Sequence, residues 1–283
     1  MKRGSGLVLA PQDLREPSAG LGSLQRHAKL GDVSEKLDGG FDGGALLIDG
    51  TVRRVPGTWT PAVNALLQHL ADKGFIGAPR PLGTDTQGRT VVSFLEGATV
   101  GNVRPWPRWT HSEEALLDVG DWLRRYHSAV ADFVPPAGSM WREGQVWEPG
   151  LIIGHNDAAP YNAVWNEGGL VGFVDWDMAG PTTSAGDLAW VAFSWVPLHA
   201  RQLVLDEGFT AFGERRARLE SFLRAYEWDG TASDVLELIR QRVQRQLDII
   251  RSVAGDGDVS YQRMLAHGVD RNLEAALGDL STV

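Results

Sequence analysis

The stretch that most constrains this chain of 283 residues lies between Leu151 and Asp177. Two short apolar runs, residues 163–165 and 170–174, flank Asn166, Glu167, Gly168 and Gly169, a connection that closes an antiparallel hairpin with Trp165 opposite Leu170. Counting back from that pair sets Asn162 across from Phe173 and close to Asp175. Asp157, Asn162 and Asp175 span 19 residues of chain, yet the hairpin gathers them at one of its ends.

Two carboxylates and an amide offer hard oxygen donors. They suit magnesium, which binds through one or two carboxylates together with substrate phosphates and water. A phosphate beside bare carboxylates is repelled by about 4 kcal/mol per pair of unit charges about 4 Å apart at an effective dielectric of about 20, so a cation must bridge them. In phosphoryl transfer a further carboxylate orients the attacking hydroxyl and takes its proton. In kinase catalytic loops that Asp lies five residues before a metal-binding Asn, the spacing of Asp157 and Asn162.

The string HNDAAPYN at 155–162, followed by VGFVDWD at 171–177, resembles the aminoglycoside phosphotransferase and choline kinase group of the protein-kinase-like superfamily. The resemblance extends to VVSFLEG at 91–97, LRRYHSA at 123–129 and GDLAW at 186–190, and so covers about residues 35–200. It implies an α+β, two-lobed protein-kinase-like fold with a small antiparallel-sheet N-lobe and a mainly helical C-lobe. By position, Asp157 resembles the catalytic base, and Asn162 and Asp175 the Mg2+ ligands. His155 resembles the histidine that braces the loop, and Asp187 the buried aspartate that hydrogen-bonds it. Phe94, Leu95 and Glu96 fall in the hinge whose backbone contacts the purine of the donor, ATP or GTP. The acceptor implied is the hydroxyl of a small molecule, with an aminoglycoside-like antibiotic as the family-level expectation.

Two positions depart from the family pattern. Its members carry a strand lysine for the nucleotide phosphates, whereas this chain has Val52-Arg53-Arg54-Val55 there, and its four lysines (Lys2, Lys29, Lys36, Lys73) lie elsewhere. Arg54, on the same strand face as Val52, is assigned that role, with a planar fork in place of a point charge. On the next helix, which usually supplies an acidic partner, the aligned stretch is Pro61-Ala-Val-Asn-Ala and contains no carboxylate.

Patterning divides the chain into a leader or short helix at 1–32, a nucleotide-binding N-lobe at 33–96 and a helical C-lobe at 97–283. Strands are expected at 33–37, 45–48, 51–55 and 90–95, with the glycine-rich DGGFDGG at 38–44 as a turn and 79–88 as loop. A helix is expected at 61–73, capped by Thr60, and another from a Thr110–Glu113 capping box to Val130. Further helices are expected near 213–227, 232–253 and 259–279. Trp106, Trp109, Trp141 and Trp147, in segments rich in proline and glycine, are candidates to line the site.

Composition closes off other classes. With no cysteine, thiolate zinc sites, iron–sulfur clusters, disulfide scaffolds and thiol nucleophiles are excluded. A net charge of -9 opposes nucleic-acid binding by phosphate neutralisation. The absence of any apolar run of membrane-spanning length, and of a secretory leader, points to a cytoplasmic protein with no membrane association. Two rivals to a small-molecule kinase come from the same residues. Asp175-Trp-Asp177 has the form of an Asp-x-Asp phosphatase nucleophile, but that site needs a later lysine and all four lysines precede it. The missing strand lysine and helix acid suit a kinase-like binding protein without turnover.

Overall fold

A computed structural model of the chain describes residues 35–37, 44–100 and 104–283. The expected leader, the start of the first strand and nearly all of the glycine-rich turn at 38–44 lie outside the described residues. Strands β1 (Glu35–Leu37), β2 (Ala45–Ile48) and β3 (Thr51–Arg54) form an antiparallel meander. Asp49 and Gly50 join β2 to β3 at positive φ, 50° and 70°, as a two-residue hairpin turn requires. Helix α1 (Thr60–Asp72) follows, and then β4 (Pro81–Thr84) and β5 (Thr90–Ser93) complete an antiparallel sheet ordered β1-β2-β3-β5-β4. Strand β4 takes part of the stretch expected as loop. Pro81 opens it at the sheet edge, where its missing N–H costs no ladder bond.

Two caps differ from expectation. Thr60 is the first residue of α1, not its cap, and its hydroxyl accepts from Gly57 N at 2.9 Å. Helix α2 (Glu113–Val130) is capped by Ser112, which accepts from Ala115 N at 3.0 Å, while Thr110 sits in a preceding 3-10 turn with its hydroxyl on Pro107 O. Ser112 prevails because its extended backbone (φ -71°, ψ 156°) lets the side chain turn back onto the first free amides. Helix α2 buries Leu116, Val119, Leu123, Tyr126 and Val130, whereas Leu117 is 40% exposed.

Short pairings then build the floor of the cleft: β6 (Ile152–Gly154) with β9 (Gly180–Thr182), and β7 (Ala163–Asn166) with β8 (Gly169–Phe173). Helices α3 (Ser184–Trp195), α4 (Arg201–Asp206), α5 (Arg215–Tyr226), α6 (Ala232–Gly255), α7 (Val259–Ala266) and α8 (Val269–Asp279) form the rest. The single helix expected at 259–279 is two, broken at Gly268, whose φ of 74° ends the helical path. One apolar cluster joins Leu66 and Leu70 of α1 to Trp122 and Tyr126 of α2 and to Leu188 and Val191 of α3. Each fully buried leucine there contributes about 1.5–3 kcal/mol, so α1 is anchored in the same core as the helical part. Among the described residues no helix is long and apolar enough to cross a membrane.

Candidate active site

The β7–β8 hairpin pairs Trp165 with Leu170 as the sequence predicts, and then departs from simple counting. Val164 faces Gly172 and Ala163 faces Phe173, so Val171 is bulged out and Asn162 stands one residue beyond its expected partner. The cause is a distant contact. Gly172 lies so close to Gly77 that a Cβ would fall 2.3 Å from the Gly77 carbonyl oxygen, which also accepts from Phe173 N at 3.1 Å and Trp122 Nε1 at 3.2 Å. Through the bulge, the Asn162 carbonyl takes the Val174 amide at 2.9 Å, beside Asp175.

Asp157 is half-buried on the loop between β6 and β7. Its Oδ2 accepts from Asn162 Nδ2 at 2.8 Å, and the same nitrogen donates to the Asp157 carbonyl at 2.9 Å. Its Oδ1 accepts from the Tyr161 hydroxyl at 2.6 Å. Desolvation pushes the Asp157 carboxyl up to about 7; the charges of Asp175 and Glu143 add to this, and the Tyr161 and Asn162 hydrogen bonds oppose it.

Asp175 ends the hairpin in the left-handed region (φ 58°, ψ 66°), an uncommon conformation for a residue with a Cβ, and one that clusters at functional sites. Arg54 reaches across from β3 and spans two carboxylates: Nη1 donates to Asp175 Oδ1 at 2.9 Å and Nη2 to Asp177 Oδ2 at 2.7 Å. Burial raises the pKa of Asp177, against the pull of Arg54. The predicted phosphate-binding arginine is thus engaged with the predicted metal-binding aspartate. Residues 61–65 of α1 offer Arg54 no carboxylate, and its fork suits the two it meets at positions 175 and 177 at once.

A buried bracket holds the loop from behind. Asp187, fully buried on α3, accepts from Asn156 N at 2.9 Å, His155 N at 3.3 Å and His127 Nε2 at 3.0 Å. Burial alone would raise its pKa, but the His127 hydrogen bond and these amides hold it below the ordinary carboxylate value. Asn156 adds bonds from Nδ2 to the Met178 and Gly180 carbonyls, both at 3.2 Å. His155 is fully buried, its ring centroid 4.4 Å from that of Trp176, and burial pushes its pKa down to about 4. Between pH about 6.5 and about 4 the unfolded chain therefore binds a proton that the folded chain refuses. Stability is expected to fall with falling pH across that window by about 1.4 kcal/mol per unit from this group. Urea midpoints measured against pH for the parent and His155→Phe test this; equal slopes in both would refute it.

Phe94 and Leu95 are half-buried and Glu96 is exposed, at the junction of sheet and hairpin. The junction is tied down by Ala98 N to Trp165 O at 2.8 Å and Trp165 N to Ala98 O at 2.9 Å. The tryptophans considered as site lining are committed to packing. Trp106 and Trp141 are buried, Trp109 stacks on Trp165 at 4.8 Å, and Trp147 Nε1 donates to Leu151 O.

Sequence reasoning missed Tyr161 and the hydrogen-bonded carboxylate of Glu143. Glu143 Oε1 accepts from Gln246 Nε2 at 3.0 Å and Tyr261 OH at 3.3 Å, and its Oε2 from Gln145 Nε2 at 2.8 Å. Tyr161 had a local signal, being the neighbour of Asn162 in the loop. Glu143 had none, because two of its three partners, Gln246 and Tyr261, are more than 100 residues away in sequence.

The donors fit a magnesium ion of the kind that takes few protein ligands. Asp175 and Asp177 present carboxylate oxygens, and Asn162 spends its Nδ2 on Asp157, leaving its amide oxygen as a donor to metal. Among the described residues no group of three or more His, Cys, Asp or Glu gathers as an all-protein metal cage.

Residues 139–226 match the model of a family described as "Phosphotransferase enzyme family". A trifolitoxin immunity protein of Rhizobium leguminosarum bv. trifolii is 43% identical over 182 residues, covering 62% of this chain and 67% of that protein. Among solved structures, an amicoumacin kinase in complex with AMP-PNP, Ca2+ and its ligand superposes with a TM-score of 0.57 at 10% identity, covering 85% of this chain and 87% of that one. A GDP complex of aminoglycoside 2'-phosphotransferase-IIIa gives 0.54 at 13% identity, covering 90% and 95%. A choline/ethanolamine kinase family protein from Mesorhizobium loti gives 0.53 at 15% identity, covering 88% and 90%.

Proposed function

Because the chain belongs to the phosphotransferase enzyme family and has its kinase-like fold, we propose that it moves the γ-phosphoryl group of ATP or GTP onto a hydroxyl of a small toxic molecule. The observation that carries this reading is Asp157, a carboxylate gripped on one oxygen by Asn162 and standing at the hairpin end that also bears Asp175. The acceptor hydroxyl gives its proton to Asp157 as its oxygen bonds to phosphorus, and the bond from phosphorus to the diphosphate oxygen breaks. Asn162 holds the base in register, and the Asp187 bracket fixes the loop backbone beneath it. Bound magnesium would supply neutralising charge for the phosphates, held by Asn162, Asp175 and Asp177. Arg54 is the chain's own cation for the phosphates once it leaves these carboxylates, and the hinge at Phe94, Leu95 and Glu96 would meet the purine through backbone groups.

The acceptor is proposed as an antibiotic or bacterial toxin, an aminoglycoside-like compound among them, because a relative at 43% identity is named for immunity to a toxin. The cytoplasm is the matching compartment, since the donor is a cellular nucleotide. A second reading, a nucleotide-binding protein without turnover, draws on the clamped Arg54 and on the absence of a carboxylate from residues 61–65 of α1.

Thermal shift separates these readings from a failure of both. ATP or GTP with Mg2+ is expected to raise the melting temperature of the parent, and Asp175→Asn is expected to remove most of that rise. A magnesium-independent shift, or none with either nucleotide, would overturn the proposal. Nucleoside diphosphate release on addition of acceptors from an antibiotic panel then distinguishes the enzyme from the binding protein.

A further inference from the structure

The base on which this reading rests is already occupied by a hydroxyl of its own chain. Asp157 has two carboxylate oxygens. Asn162 holds Oδ2, the grip that orients the carboxylate, and Oδ1, the oxygen free of that grip, is taken as the one that receives the proton of an acceptor hydroxyl. Tyr161 Oη donates to that oxygen at 2.6 Å, a short, charge-assisted distance. The 3-10 turn Pro160–Asn162 folds the loop back and brings position 161 over position 157. The Tyr161 side chain is otherwise little embedded: the residue is 43% exposed while its neighbours Pro160 and Asn162 are buried. Being more exposed than its neighbours, the ring gives up less packing on turning outward than they would, and the hydroxyl bond to Asp157 opposes that turn.

We propose that Tyr161 is a latch on the catalytic base: its hydroxyl holds the position of the acceptor hydroxyl, excludes water from it, and gives way when the acceptor arrives. The inference deepens the proposed function and rests on it. A base open to solvent would activate water. In that reaction a water proton passes to Asp157 Oδ1, the water oxygen bonds to the γ-phosphorus, and the bond to the diphosphate oxygen breaks, so the triphosphate is lost as nucleoside diphosphate and inorganic phosphate. With the phenol on Oδ1, water must compete with a tethered partner, whereas an acceptor held by its own contacts has enough binding free energy to displace it. Tyr161 is thus a positioning residue that selects among nucleophiles.

The experiment measures inorganic phosphate release from MgATP and MgGTP without any acceptor, for the parent, Tyr161→Phe and the double variant Tyr161→Phe/Asp157→Asn. Removing the hydroxyl is expected to raise acceptor-free hydrolysis by about tenfold, the change in competition that one hydrogen bond of this strength represents. The double variant is expected to fall to the parent rate or below, because the added turnover runs through Asp157. Nucleotide-induced thermal shifts are recorded for each protein, and Tyr161→Leu repeats the comparison without the ring. If Tyr161→Phe and Tyr161→Leu keep the nucleotide shift but hydrolyse no faster than the parent, the latch is overturned and the kinase reading stands. Faster hydrolysis that survives in the double variant also overturns it, since the base would not be involved. Absence of any nucleotide shift in the parent and all variants overturns the kinase reading and the latch together.

Discussion

Asp157→Asn is expected to lower phosphoryl transfer by about 10²- to 10⁴-fold while the chain stays folded. The amide keeps the shape of the carboxylate and one oxygen, so either Asn162 or Tyr161 retains an acceptor, but no atom remains that can take a proton at neutral pH. The loss of one hydrogen bond costs about 1 kcal/mol. That cost is offset because burial already disfavours the charge on this carboxyl, whose pKa is pushed up to about 7. A melting temperature close to that of the parent, with diphosphate release reduced at saturating acceptor, is the expected pair of results. Transfer within a few-fold of the parent rate would remove Asp157 from the chemistry.

Asp187→Ala is expected to destabilise the fold by about 3–5 kcal/mol, because it strips a buried charge from partners that cannot reach water. Three donors converge on that carboxylate, the amides of His155 and Asn156 and the Nε2 of His127, and His127 is itself fixed by Tyr226 at 2.8 Å through Nδ1. The folded pKa of Asp187 lies below its unfolded value, so this stabilisation is present above the ordinary carboxylate pKa and is lost as pH falls through the lower folded value. Equilibrium denaturation at neutral pH measures the loss. A change below about 1 kcal/mol would mean that the loop carries itself without the bracket.

The hairpin was legible because its signal is local: two apolar runs, a short glycine-containing connection and polar residues at one mouth. Its register was only half legible. The Trp165–Leu170 pair follows from the connection, but the Val171 bulge is imposed by Gly77, a contact across 95 residues that no short-range pattern carries. Strand alternation put Arg54 on the same face as Val52, and the stretch 61–65 showed that its usual acidic partner is missing. Neither could say that the guanidinium would span Asp175 and Asp177. Helix α3 escaped patterning for the opposite reason. Leu188, Ala189, Val191, Ala192, Phe193 and Trp195 are all buried, so it has no polar face to generate a period. The cap of α2 was missed by two residues because Thr110 and Ser112 both offer a hydroxyl and backbone conformation decides, whereas α1 begins one residue earlier than expected, at Thr60, with Trp59 at the cap position and no side-chain cap.

The paired backbone bonds between Ala98 and Trp165 tie the end of the sheet region to the β7–β8 hairpin. Gly97 packs so tightly on the Trp165 carbonyl that an added Cβ would come within 2.7 Å of it, which leaves this seam no room to slide. The segment at Phe94, Leu95 and Glu96 is therefore held, two residues on, to the hairpin whose other end is flanked by Asn162 and Asp175. The proposed purine contact and the proposed metal ligands share that one hairpin as their support, so a shift in its register would displace both at once.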